Sequence, residues 1–100
     1  MKTILHLVNT VQSVSQFSNK TFGLISDTDA ILFIENGVYN AVSTTDNQDL
    51  LGEIRAQIYV LMPDLEARGL NEKGILDYVS SVDYDGFVDL TAQFDVSMSW

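Results

Sequence analysis

The sequence predicts an α/β fold, a single three-layer domain with a mostly parallel sheet of four to five strands, and three observations carry that reading. Thr3–Val8 and Ala30–Ile34 are nearly unbroken apolar runs of strand length, and a strand without polar alternation is one covered on both faces, as in a parallel sheet. Between them Val14, Phe17, Thr21, Leu24 and Ile25 fall at i, i+3, i+7, i+10 and i+11, one stripe of an amphipathic helix. Finally, no repeat, low-complexity tract or linker divides the 100 residues, so residues 1–100 form one domain.

Taken in order, Thr3–Val8 is the first strand and Asn9–Gln12 a connection. Ser13 and Gln16 are spaced as a capping box ahead of the Val14 stripe. The strand that follows makes a βαβ unit, whose crossover is expected to be right-handed. Glu35-Asn36-Gly37 then supplies turn chemistry, since Asn and Gly tolerate positive φ, and Val38, Tyr39 and Val42 suit a short helix packed back on the sheet. Ser43–Asp49 is polar and aperiodic, a surface loop, and Leu50, Leu51 and Ile54 form a turn. Gln57–Met62 is the third strand. Pro63 ends it and opens a short helix with Asp64 in its first turn, Arg68 near its end and Gly69 as its stop. Asn71–Asp77 is a brief turn or helix.

Tyr78–Val82 is the fourth strand, although Ser80 and Ser81 interrupt its apolar character. Asp83 caps a helix that sets Phe87, Leu90, Thr91 and Phe94 on one face and Asp85 and Asp89 on the other. Val96, Met98 and Trp100 alternate with Ser97 and Ser99, a period of two that fits an edge strand or a docked extended tail.

Composition excludes several functions. The net charge is -9 with only five basic residues, which are scattered; a nucleic-acid surface needs clustered cations to displace counterions from phosphates, and the same acidity disfavours anionic membranes. No cysteine is present, which removes disulfides, thiolate metal sites and any step in which this chain carries sulfur as a thiol or persulfide. Met1–Val8 is too short for a secretory core and no apolar run reaches the ~20 residues of a membrane span, so a cytoplasmic protein is expected and the Asn19-Lys20-Thr21 sequon is coincidental. The 46% hydrophobic content is rich for so small and charged a chain and points to apolar surface held against a partner.

Motifs for chemistry are sparse. His6 is the only histidine, and no nucleophile motif accompanies it; it reads as a histidine at the end of a buried strand with one nitrogen as a structural donor. Asp83-Tyr84-Asp85-Gly86 lacks the register of a calcium loop and reads as a helix cap, and Asp46–Asp49 reads as a solvated loop. No glycine-rich or phosphate-binding motif follows a strand, so no cofactor is expected. Asn36-Gly37 sits where α/β folds place ligands, at the carboxyl end of a strand, and leaves a free-standing small-molecule binder as an alternative.

Leu5-His6, Ile31–Tyr39, Tyr59–Gly69 and Val82–Thr91 through Trp100 together resemble the DsrH/TusB family over essentially the whole chain, most specifically in the P-D-L-x-A-R-G block at 63–69 and the D-Y-x-x-F-V-x-L-T block at 83–91. The resemblance implies a DsrE-like fold and a non-catalytic subunit assembled with two homologous sister subunits, TusC- and TusD-like, in a heterohexamer. In the TusB branch the assembly relays persulfide sulfur toward 2-thiolation of a tRNA wobble uridine; in the DsrH branch it serves sulfur oxidation. Some DsrH members carry a cysteine at a place matched here by about Thr21, and a hydroxyl cannot hold a persulfide, which favours the TusB branch. Subunit contacts are expected on Tyr39, Phe87 and Trp100, since aromatic anchors are enriched in interface cores, although all three could fill the chain's own core, Phe87 above all. A homo-oligomer of the isolated chain is a further possibility.

Overall fold

The computed structural model describes residues 2–11, 25–42 and 55–99. Five strands, β1 (Ile4–Val8), β2 (Ala30–Phe33), β3 (Gln57–Leu61), β4 (Val79–Val82) and β5 (Val96–Ser99), form one sheet in the order β4-β3-β2-β1-β5. Every pairing is parallel. Among the described residues the α/β sheet is therefore wholly parallel and five-stranded, and the Val96–Ser99 segment is an edge strand. The Ser13–Gln16 box, the Val14–Leu24 part of the first helical stripe, the Ser43–Asp49 loop, the Leu50–Ile54 turn and Trp100 lie outside the described residues.

Strand alternation divides the core in two. Val8, Ile31, Phe33, Ile58, Val60 and Val79 point to one face, where Val38 and Ala41 of a 3-10 helix (Glu35–Ala41), Leu65 of helix α1 (Met62–Ala67), Leu76 and the half-buried Ile25 cover them. Leu5, Ala30 and Leu32 point to the other, against Leu90, Phe87 and Phe94 of or beside helix α2 (Tyr84–Gln93). This makes three layers. All four residues of β2 are buried, as expected of a central strand sandwiched between helical layers, where each large side chain contributes about 1.5–3 kcal/mol by leaving water.

The local signals act as their chemistry dictates, with one difference. Pro63 lies in the first turn of α1, and Gly69 just beyond that helix has φ +73, a left-handed stop that a side chain would strain. Asp83 caps α2, its Oδ1 accepting from the Gly86 amide at 2.8 Å. Asp83→Ala should cost about 1 kcal/mol, read as an earlier midpoint in urea, and an unchanged midpoint would deny the cap a role. The difference is at the turn after β2, where the positive φ belongs to Glu35 (φ 51) and not to Asn36 or Gly37. Gly37 is needed for space: a Cβ there would stand 1.9 Å from the Val8 carbonyl oxygen.

Candidate functional site

Two polar clusters stand at opposite ends of the sheet. At the carboxyl end the loops after β1, β2 and β3 are tied together. The Ile34 amide donates to Val8 O at 3.0 Å, and the fully buried Asn40 donates through Nδ2 to Thr10 O at 2.9 Å. Across the next connection, Asp64 Oδ2 accepts from the Glu35 amide at 2.6 Å. Arg68 donates from Nε to Asn36 Oδ1 at 3.0 Å and from a terminal nitrogen to the Asp64 carbonyl at 3.0 Å. The P-D-L-x-A-R-G block thus folds as a clamp: Pro63 starts the helix, Leu65 anchors it in the core, and Asp64 and Arg68 hold the Glu35-Asn36 turn. A carboxylate on a backbone amide and a guanidinium on an amide oxygen are charge-assisted bonds, and together they tie the turn to α1.

Tyr39 belongs to this rim. It lies on the 3-10 helix with 39% of its surface exposed, and Val11 in the loop after β1 is also exposed. Phe87, in contrast, is half-buried against the second core cluster, and Trp100 lies outside the described residues. Tyr39 and Phe87 belong to elements on opposite faces of the sheet, so the structure does not bring these two together.

The second cluster is at the amino end. His6 stands in the middle of β1, not at its end, and is 2% exposed; Asp29, in the turn before β2, is 5% exposed. His6 Nε2 and Asp29 Oδ2 are 3.1 Å apart. The other carboxylate oxygen accepts from the Ile4 amide at 3.0 Å, and Oδ2 accepts a further bond from the Ser26 amide at 3.2 Å. Because an ionised carboxylate only accepts, the bond requires the proton on Nε2. Burial pushes the Asp29 carboxyl upward, but the bonds from His6, Ile4 and Ser26 and the His6 charge outweigh it and hold it below the ordinary range. The Asp29 contacts go to two backbone amides and an imidazole, an arrangement that joins the start of β1 to the start of β2.

Other site chemistry is thin among the described residues. No group of three or more His, Asp or Glu could hold a metal ion, and no helix is long and apolar enough to cross a membrane. A shallow groove of about 360 Å3 runs beside β4, lined by Lys73, Ile75, Leu76, Asp77, Val79 and Ser81; it does not include the Asn36-Gly37 turn. The sequence did not disclose the His6–Asp29 pair or the Arg68–Asn36 bond, because partners 23 and 32 positions apart leave no periodic trace. Only the polar Asp29 ahead of a wholly apolar strand hinted at the first.

Comparison with known proteins agrees with this architecture. The profile of the DsrH like protein family matches residues 12–97. The Protein TusB of Yersinia enterocolitica is 35% identical over 77 residues, 77% of this chain and 80% of its own length, and that of Pectobacterium parmentieri is 34% identical over 76 residues. Among solved structures, a protein of unknown function from Methanobacterium thermoautotrophicum superimposes with TM-score 0.76 at 13% identity over the whole of both chains. A Thermotoga maritima protein reaches TM-score 0.65 at 27% identity over 90% of this chain and 92% of its own. The first of these shows a shared fold; the family profile across most of the chain and relatives at about 35% identity show more, and this chain belongs to the DsrH-like protein family.

Proposed function

We propose that the protein is a non-catalytic subunit of a sulfur-relay complex of the TusBCD type, which passes persulfide sulfur toward 2-thiolation of a tRNA wobble uridine. The observation that carries the reading is a family member without any cysteine: persulfide transfer needs a sulfur nucleophile with an accessible thiolate, so the sulfur travels on two sister subunits and this chain supplies surface. The clamped carboxyl-end rim supports that role, because loops already tied to one another have less left to order on binding. Contact with the sister subunits falls on Tyr39, with Phe87 and Trp100 as the other aromatic positions; the half-burial of Phe87 makes Tyr39 the stronger anchor. The acidic surface suits exchange with proteins in the cytoplasm and not a grip on tRNA.

The test is co-expression with cysteine-bearing sister chains from the same genome. All three chains should purify together, loss of this one should abolish 2-thiouridine in tRNA, and labelled sulfur should appear on the sisters alone. Acceptance and onward delivery of labelled sulfane by the isolated protein would overturn the reading. If the complex forms and tRNA thiolation does not depend on it, the sulfur-oxidation branch takes its place. Tyr39→Ala should weaken co-purification by more than it lowers the stability of the isolated chain, because over a third of its surface is left in solvent for a partner to cover.

A further inference from the structure

Strand β5 forms one edge of the sheet, and among the described residues its only protection as an edge is that it is short. Val96-Ser97-Met98-Ser99 holds no proline, lysine or other charge, all four residues are exposed, and Val96 and Met98 keep 38% and 45% of their surface in solvent. An open edge of this kind is a template for another strand.

Its side-chain pattern and backbone direction say which strand. The register pairs Ile4 with Val96, Leu5 with Ser97, His6 with Met98 and Leu7 with Ser99, so Val96 and Met98 share one face and Ser97 and Ser99 the other. The Val96 amide is turned inward, donating to Thr3 O at 3.2 Å. Because successive residues of a parallel strand bond to opposite sides, the Ser97 and Ser99 amides and carbonyls face outward. We infer that β5 pairs with β5 of a second copy of this chain, antiparallel about a twofold axis at Ser97. Two outward-facing Ser97 residues then exchange both backbone bonds. Val96 lies opposite the partner's Met98 and Met98 opposite the partner's Val96, so each half-exposed apolar side chain covers the other.

The pattern is self-complementary, which is what an isologous contact requires, and it holds no like charges on the pairing residues themselves. The two sheets become one of ten strands. The contact is small: four-residue strands bury well under the ~1,600 Å² of a standard interface. The dimer therefore dissociates in the micromolar range or above, and since each copy carries -9, it tightens as salt screens their repulsion. This assignment is independent of the sulfur-relay reading.

The chain has no cysteine, so a single introduced one reports unambiguously. A hydrogen-bonded antiparallel pair sets Cα atoms about 5.5 Å apart, within disulfide reach. Under mild oxidation of the full-length protein, Ser97→Cys should form a disulfide-linked dimer, while Ser80→Cys on the opposite edge strand should not. Sedimentation from micromolar to millimolar concentration should show a monomer–dimer equilibrium. Ser97→Pro, which removes an outward amide and is tolerated on an edge, and Met98→Lys should each weaken it about tenfold or more with unchanged circular dichroism. A monomer throughout the range, or cross-linking no faster at Ser97 than at Ser80, overturns the assignment. So does a Ser97→Cys chain that, in a complex co-expressed with cysteine-bearing sister chains, cross-links only to a sister.

Discussion

Gly37→Ala is expected to cost about 4 kcal/mol or more, the exceptional end of single substitutions, and to leave little folded protein, since a domain of this size has only about 5–15 kcal/mol in hand. The added Cβ would stand 1.9 Å from the Val8 carbonyl oxygen and 2.8 Å from its carbon. Those atoms cannot swing aside like the tip of a long side chain. They belong to β1, held on both flanks by β2 and β5, and the same oxygen accepts the Ile34 amide. Relief would need the 3-10 helix to lift, which would uncover Val38 and Ala41, both fully buried. Urea or thermal unfolding reads the loss. A Gly37→Ala protein within about 1 kcal/mol of wild type would mean that the two backbones do not approach so closely.

Asp29→Ala is expected to cost about 3 kcal/mol at neutral pH, the upper range for leaving buried donors without their acceptor. The substitution removes the acceptor that His6 Nε2 and the amides of Ile4 and Ser26 share. Its pH dependence follows from the direction of the shift. The carboxyl titrates lower in the folded protein than in the unfolded chain, so its contribution is complete above the unfolded value near 4 and is lost as pH falls through the lower folded value. The gap between wild type and Asp29→Ala should be widest near neutrality and shrink progressively below about pH 4. Urea midpoints at neutral and acid pH measure it, and a gap that stays constant or widens in acid would show that the ionised carboxylate is not the stabilising form.

The two substitutions also mark how far the fold can be read from the chain. Continuous apolar runs disclosed the strands, because full burial on both faces leaves no room for polar alternation. Pro63, Gly69 and Asp83 disclosed helix boundaries, because each acts on the backbone within a few residues of itself. Gly37 was legible as a turn glycine but for the wrong reason: the conformational burden falls on Glu35, and what the glycine provides is clearance from a strand 29 positions away. Asp29 stood out only as a polar residue ahead of an apolar strand, which does not say that His6 and two amides converge on it. The rim at the carboxyl end was legible only as a place, through the position of Asn36-Gly37. Its bonds from Arg68 and to Asp64 join segments whose spacing is set by the tertiary fold. The final alternation of Val and Met with Ser suited an edge strand or a docked tail, and the segment is the edge strand β5 with all four residues exposed; a period of two records which side chains share a face, and whether anything lies over that face is decided by the neighbouring layers.

The junction of β1 and β5 joins residues 92 positions apart: the Thr3 amide donates to Asp95 Oδ2 at 2.9 Å and the Asp95 amide returns a bond to Thr3 Oγ1 at 3.2 Å. The seam ties an edge strand whose four residues are all exposed, and such an edge has little covering it to resist local opening. By the same token the seam is the first to part in the native protein. Amide hydrogens of Val96 and its neighbours should therefore trade with deuterium well before those of β2, whose protection fails only when the whole molecule comes apart.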